Sequence, residues 1–200
     1  MNDAFVTRAT DWDSPDKISM TKKFVGELFY HIDPLPTWKA LEIGAGTGLV
    51  GLQVESFVRK IILEDTSESM LKVLKQKLNK NSKVEILHGE VTEYKQQDVD
   101  LVFSCMAFHH IPDIEKTLQH LATITKAGAW VVVGDLVAED GSFHRFEPIP
   151  HRGFDTLVLS RQFTQAGFDV KLVKIYNVIT RTIDSITTNY EQFILIAKRL

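Results

Sequence analysis

The chain has 200 residues, 44% of them hydrophobic and 24% charged, with a formal net charge of −3, which suits one ordinary globular domain and not the basic surface that counterion release from DNA or RNA requires. The single cysteine, Cys105, excludes an internal disulfide. An opening segment without a signal-type apolar core, and apolar runs shorter than the roughly 20 residues of a membrane span, set the expectation of a cytoplasmic protein with no membrane partner.

In chain order, apolar side chains at Ile18, Phe24, Val25, Leu28 and Phe29 predict a helix over 17–31, stopped ahead of Pro34 and Pro36, within a helical cap region over 1–36. Five short apolar runs then read as buried strands: 38–44, 60–65, 83–89, 98–104 and 128–136. Helices are expected over 49–58, 67–80 and 113–126, whereas 91–99 is too polar and short to assign. Two prolines, a glycine and two histidines make 140–152 an ordered or lid-like loop. The remainder reads as a helix over 154–167, a strand over 169–180, a solvated polar turn around Asp184 and a last strand over 190–199. Strands alternating with helices predict a single α/β domain over 1–200, with a mostly parallel sheet covered on both faces.

The chemistry begins where the first strand runs into Gly44-Ala-Gly46-Thr-Gly48 and then a helix, an arrangement that lets backbone turn sharply and approach a nucleotide-like ligand. Gly46-Thr-Gly48-Leu-Val-Gly51 also spells the dinucleotide fingerprint, with Asp65 at about the expected spacing of 20 residues. Register separates the two readings. Counted from the strand end, the turn glycine is Gly44 and the third dinucleotide position falls on Leu49, so that fingerprint is out of phase.

The motif that is in phase, Glu42-Ile-Gly44-Ala-Gly46-Thr-Gly48, closely resembles the class I S-adenosylmethionine-dependent methyltransferases. The resemblance continues through Asp65-Thr66 and Met70 after the second strand, His88-Gly89-Glu90-Val91 after the third, Asp100 to Ser104 on the fourth, and Lys126-Ala-Gly128 before the fifth. Around Trp12 and over 140–155 it narrows to a small single-domain bacterial and fungal type, similar to methyltransferase types 11 and 25. It implies a doubly wound, Rossmann-like seven-stranded sheet of order 3-2-1-4-5-7-6 with the last strand antiparallel. It also implies S-adenosylmethionine as cofactor, bound by Glu42, Gly44, Gly46, Gly48, Asp65, Thr66, Met70, Glu90, Val91 and Ser104. Asp65 would accept from both ribose hydroxyls, a task for a carboxylate because it accepts two bonds and donates none. Glu90 or the Val91 N–H would meet the adenine.

The function so implied is methyl transfer to an unidentified small-molecule acceptor. His109, His144 and His151 are the candidate catalytic groups, since imidazole titrates near neutral pH and His109 follows the fourth strand at the ligand-binding edge of such sheets. His110 beside it is a weaker candidate. No metal is expected, because no cysteine or carboxylate group accompanies the histidines at zinc spacing. Cys105 reads as a small buried hydrophobe, and Trp12 either as core for the first helix or as a wall over the cofactor. A non-catalytic S-adenosylmethionine-binding regulator and a nicotinamide-dependent oxidoreductase are the alternatives, and the sequence leaves the oligomeric state open.

Overall fold

A computed structural model of the chain describes residues 6–146, 148–183 and 185–200. Seven strands form one sheet in the order β3-β2-β1-β4-β5-β7-β6. The five parallel strands are β1 (Lys39–Ile43), β2 (Lys60–Asp65), β3 (Val84–His88), β4 (Val99–Cys105) and β5 (Thr125–Leu136). β6 (Phe168–Ile183) and β7 (Ile186–Arg199) form a long hairpin in which β7 runs antiparallel to both neighbours. Strand order reverses between β1 and β4, which pair directly, and that reversal opens a crevice at their carboxyl ends.

Burial on both faces follows from the period of two in each strand. Leu41, Ile43, Val102, Val131 and Val133 point to one side, where α4 (Ile114–Ile124) and α5 (Thr156–Gln165) bring Leu118, Leu121, Leu159 and Phe163. Ala40, Ile61, Leu63, Leu101 and Phe103 point to the other, beneath α1 (Pro15–His31), α2 (Gly51–Val54) and α3 (Glu68–Lys77), which supply Phe24, Leu28, Val54, Leu71 and Leu74. Each of these large side chains contributes roughly 1.5–3 kcal/mol by leaving water. Glu42 shares the second face.

The helix boundaries follow local chemistry. α1 begins two residues before the expected 17, because Ser14 caps it and Pro15 occupies the first turn, where a missing N–H costs nothing. The helix expected over 49–58 is only four residues of α-helix followed by a 3₁₀ turn over Glu55–Phe57. The glycine loop takes its first two residues, and valines together with Gly51 give the rest little helical preference. α3 and α5 are shorter than expected at both ends. The segment over 180–190 is not a solvated turn: it is the far end of the hairpin, paired residue by residue from Thr180↔Asn189 to Ile183↔Ile186. Threonines there favour strand despite their polarity. Asp184 lies outside the described residues.

β7 pairs with β5 only as far as Leu136↔Gln192. Beyond that point the hairpin continues as an arm past the sheet. The chain leaving β5 closes a loop whose neck pairs 137–139 against 152–154, through Ala138 N–H to Phe154 O at 3.0 Å and Glu139 N–H to Arg152 O at 2.9 Å. Gly153 is required in that neck, since a Cβ there would lie 2.3 Å from the Val137 carbonyl oxygen. The loop tip is fastened to the arm: Arg181 Nη1 donates to the Phe143 carbonyl at 2.7 Å and stacks on its ring, and the Ser142 and Tyr190 hydroxyls meet at 2.7 Å.

Candidate active site

At the carboxyl end of β1 the backbone turns through Gly44, Gly46 and Gly48, all with positive φ. Their requirements differ. A Cβ at Gly44 would sit 2.2 Å from that of Ala107, and one at Gly48 would sit 2.5 Å from Leu74, so both are packing glycines. At Gly46 the nearest atom to a built Cβ is the Trp12 indole nitrogen at 3.9 Å. Gly46 therefore faces a cradle that protein atoms do not fill, with Trp12 as its outer wall. Trp12 and Asp13 are held over the loop, Asp13 by Thr47 and Lys77, and Trp12 by the Lys17 ammonium 3.1 Å from its ring centre. Desolvation, followed by the charges of Arg181 and Arg8, pushes Lys17 down to about 8.

Asp65 ends β2 beside this loop. Its two carboxylate oxygens accept the Gly46 N–H at 2.7 Å and the Ser67 N–H at 2.8 Å, which fixes the carboxylate at the cradle rim. Thr66 is exposed next to it. Two more carboxylates lie beneath. Glu64 accepts the Gly44 N–H at 3.2 Å, and burial together with the Asp65 charge raises it to about 8. Glu42 is 2% exposed, and desolvation drives it well above the usual carboxylate range. Its Oε2 has no hydrogen-bond partner and faces Gly51, where a Cβ would come within 2.4 Å.

The other expected cofactor residues are distributed around this end. Ser104 is buried, and its hydroxyl donates to the Ile43 carbonyl at 3.0 Å, a latch between β4 and β1. Met70 is packed in the first turn of α3, where its N–H is taken by the Ser67 hydroxyl. Glu90 caps a 3₁₀ turn over Val91–Glu93, with its own N–H donating to Glu93, and Val91 is buried.

Across the crevice, the ends of β4 and β5 assemble a second group. His109 lies in a 3₁₀ turn over Phe108–His110 and is 1% exposed. Its Nδ1 is 2.7 Å from Asp135 Oδ1, and its backbone N–H donates to Asp135 Oδ2 at 3.1 Å. Asp135 is fully buried and also accepts the Leu136 N–H at 2.7 Å. A carboxylate so placed keeps the Nδ1 proton between itself and the ring and leaves the lone pair of a neutral His109 on Nε2. That nitrogen lies 3.1 Å from Nε2 of His144, which sits in the 3₁₀ turn over Ser142–His144. His110 completes the cluster at the exposed rim, its ring centre 4.2 Å from that of His109 and 5.5 Å from that of His144. Desolvation of its ring, then the neighbouring imidazoles, push His110 down to about 4.

His151 is positioned differently. Its N–H donates to the His109 carbonyl at 3.2 Å, but its ring tilts against Phe154 and lines a separate cavity of about 220 Å³ with Ile114, Val158 and Gln162. Cys105 is half-buried against Tyr176, and desolvation raises its thiol far above the ordinary value. Sequence reading missed Asp135, whose signal was available: a lone carboxylate inside the apolar run over 128–136. His110, the weaker candidate by sequence, lies in the same cluster. Met106, Arg145 and Phe146, which flank the histidines, adopt positive φ without being glycine, the kind of strain that surrounding structure must hold in place.

Residues 41–133 match the family described as a methyltransferase domain. An uncharacterised methyltransferase of Schizosaccharomyces pombe is 26% identical over 115 residues, covering 52% of this chain and 40% of the yeast protein, so the match spans less than half of that relative. An uncharacterised methyltransferase of a Geobacillus species is 29% identical over 149 residues, covering 65% of this chain and 69% of that protein. Among solved structures, a SAM-dependent methyltransferase from Aquifex aeolicus superposes with a TM-score of 0.71 at 20% identity, over 97% of this chain and 98% of the other. Taken with the strand order, these matches show that residues 41–133 are similar to the methyltransferase-domain family and that the chain has the Rossmann-like fold of the solved methyltransferase structures.

Proposed function

We propose that this protein transfers a methyl group from S-adenosylmethionine to a small-molecule acceptor, with the cofactor on the Gly44–Gly48 side of the crevice and the acceptor at the histidine group. The observation that carries this reading is the pairing of two unlike ends across one switch point. An unfilled glycine cradle with a rim carboxylate and a buried Asp135–His109 couple, which reaches toward the rim through His144, lie at the carboxyl ends of adjoining strands of one sheet. When bound, the cofactor supplies a methyl carbon on a positively charged sulfur leaving group.

Asp65 would receive the ribose hydroxyls, Gly46 leaves the room for close approach, and Trp12 shuts water from that side. Ser104 acts from beneath by latching β4 to β1, and Glu42 packs under Gly51 at the start of α2. The His109–His144 pair, joined through its Nε2 atoms at 3.1 Å, would take the proton that a hydroxyl or ammonium acceptor gives up, and Asp135 would stabilise the imidazolium that results. Alignment of the reactants contributes the larger share, since the leaving group is already activated. Calorimetry with S-adenosylmethionine and with NAD tests the assignment: the first should bind saturably and the second should not. Binding of NAD without S-adenosylmethionine would overturn it.

A further inference from the structure

We propose that His109, His110 and His144 form a three-histidine site for a divalent transition-metal ion of the zinc type at the acceptor end of the crevice. One ring nitrogen from each histidine lies within 4.8 Å of the other two. Zinc takes imidazole nitrogen at about 2.0–2.1 Å, so two nitrogens on one tetrahedral ion stand roughly 3.3 Å apart. The His109 and His144 nitrogens are already 3.1 Å apart, a separation that a shared ion fits almost as well as a shared proton does. His110, on the same 3₁₀ turn and exposed, brings a ring nitrogen within 4.8 Å of both.

Three features beyond proximity favour a metal. First, Asp135 holds Nδ1 of His109 at 2.7 Å, the carboxylate support that metal-ligating histidines ordinarily have, because it fixes the tautomer and raises the basicity of the outer nitrogen. Second, the donor set is all imidazole, which suits zinc, cobalt or nickel and discriminates against magnesium and calcium, whose ligands are oxygen. Third, two of the ligands come from the turn after β4 and one from the loop after β5, so three protein ligands converge, with His110 on the exposed side. That leaves a fourth position toward the crevice, the pattern of reactive rather than structural zinc sites.

The ion would take the place of the proton between His109 and His144. An acceptor thiol or hydroxyl bound at its fourth position would release its proton to solvent on coordination, without needing His109 as base. The metal site rests on the histidine geometry alone; its role at an acceptor rests on the methyl-transfer reading, and there the ion would replace His109 as the means of removing the acceptor's proton.

The test uses the full chain, freed of metal by chelator and dialysis. It is titrated with cobalt(II) chloride under visible spectroscopy and with zinc chloride by calorimetry. One ion per chain is expected, with the intense visible bands of four-coordinate cobalt, bleached by zinc. His110→Ala lies at the exposed rim and should fold; it and His144→Ala should each lose more affinity than Asp135→Asn, whose loss should be about 10- to 100-fold. S-adenosylmethionine affinity is read in the same samples. Its absence would count against the methyltransferase reading and leave the metal result standing. Wild-type protein without saturable zinc binding, or His110→Ala and His144→Ala both binding as wild type does, would overturn the site and leave a proton-sharing histidine pair.

Discussion

The two ends of the crevice are built by different means. At the glycine end, consecutive residues do nearly everything: Gly44 to Gly48 make the turn, and Asp65, one strand away, pins it through the Gly46 N–H. At the histidine end nothing is consecutive except His109 and His110. Asp135 comes from β5, His144 from the loop beyond it, and Arg181 and Tyr190 from the hairpin arm hold that loop in place. A contiguous motif can be recognised from sequence because backbone geometry alone dictates it. A constellation drawn from three elements exists only after the sheet has formed.

That contrast orders the expected effects of substitution. The largest should come from Asp135→Ala, which strands the His109 ring N–H, the His109 backbone N–H and the Leu136 N–H in a site without water access. A loss of about 3–5 kcal/mol in denaturant unfolding is expected. A loss below 1 kcal/mol would mean that the histidine end is solvated and the contrast overdrawn. At the glycine end, Asp65→Ala should weaken S-adenosylmethionine binding by about 1.5–3 kcal/mol, the range for bonds to a charged group, while unfolding changes less. Unaltered affinity by calorimetry would remove Asp65 from the cofactor site.

His144→Ala separates the ends functionally. Cofactor affinity should stay near wild type while turnover, once an acceptor is known, falls at least about tenfold, or roughly 1.4 kcal/mol. A fall in cofactor affinity instead would show that the histidine loop belongs to the glycine end. The smallest effect is electrostatic. Glu64 titrates near 8 in the folded chain because burial and Asp65 oppose its charge. Its ordinary value is 4.5, so the folded state holds a proton that the unfolded chain has released, and stability falls as pH rises between those values. Glu64→Gln keeps an acceptor for the Gly44 N–H and should flatten that slope, gaining about 1 kcal/mol, a few degrees in Tm, at pH 8. A slope unchanged by the substitution would assign it to Glu42 or another buried group.

Much of the fold was legible because strong signals coincide with it. The five parallel strands fall within a few residues of their apolar runs, and the family resemblance carried by the in-phase glycine motif implied the seven-stranded order that is found. Errors arose where tertiary context outweighs local pattern. Polar threonines over 180–190 pair in the arm because a partner strand is present, and the helix after the glycine loop is cut short because the loop occupies its first turn. In the site, the glycine loop and Asp65 were readable from spacing. The union of His109 with Asp135 and His144 was not, since no periodicity links positions 109, 135 and 144, and His151, similar in sequence context, turns its ring to another cavity.

With the acceptor at the histidine end, as proposed, the arm would act as a ruler for the size of molecule the site admits. Its strands are free of β5 beyond Gln192, yet residues on both of them grip the loop that carries His144. Removing two opposed pairs from the arm would keep Arg181 and Tyr190 on the same face and draw that wall back by about 6.8 Å while leaving every pair with β5 in register. Acceptor size in this architecture can therefore be retuned by trimming or extending a ribbon, without touching the glycine loop or the strands that carry it.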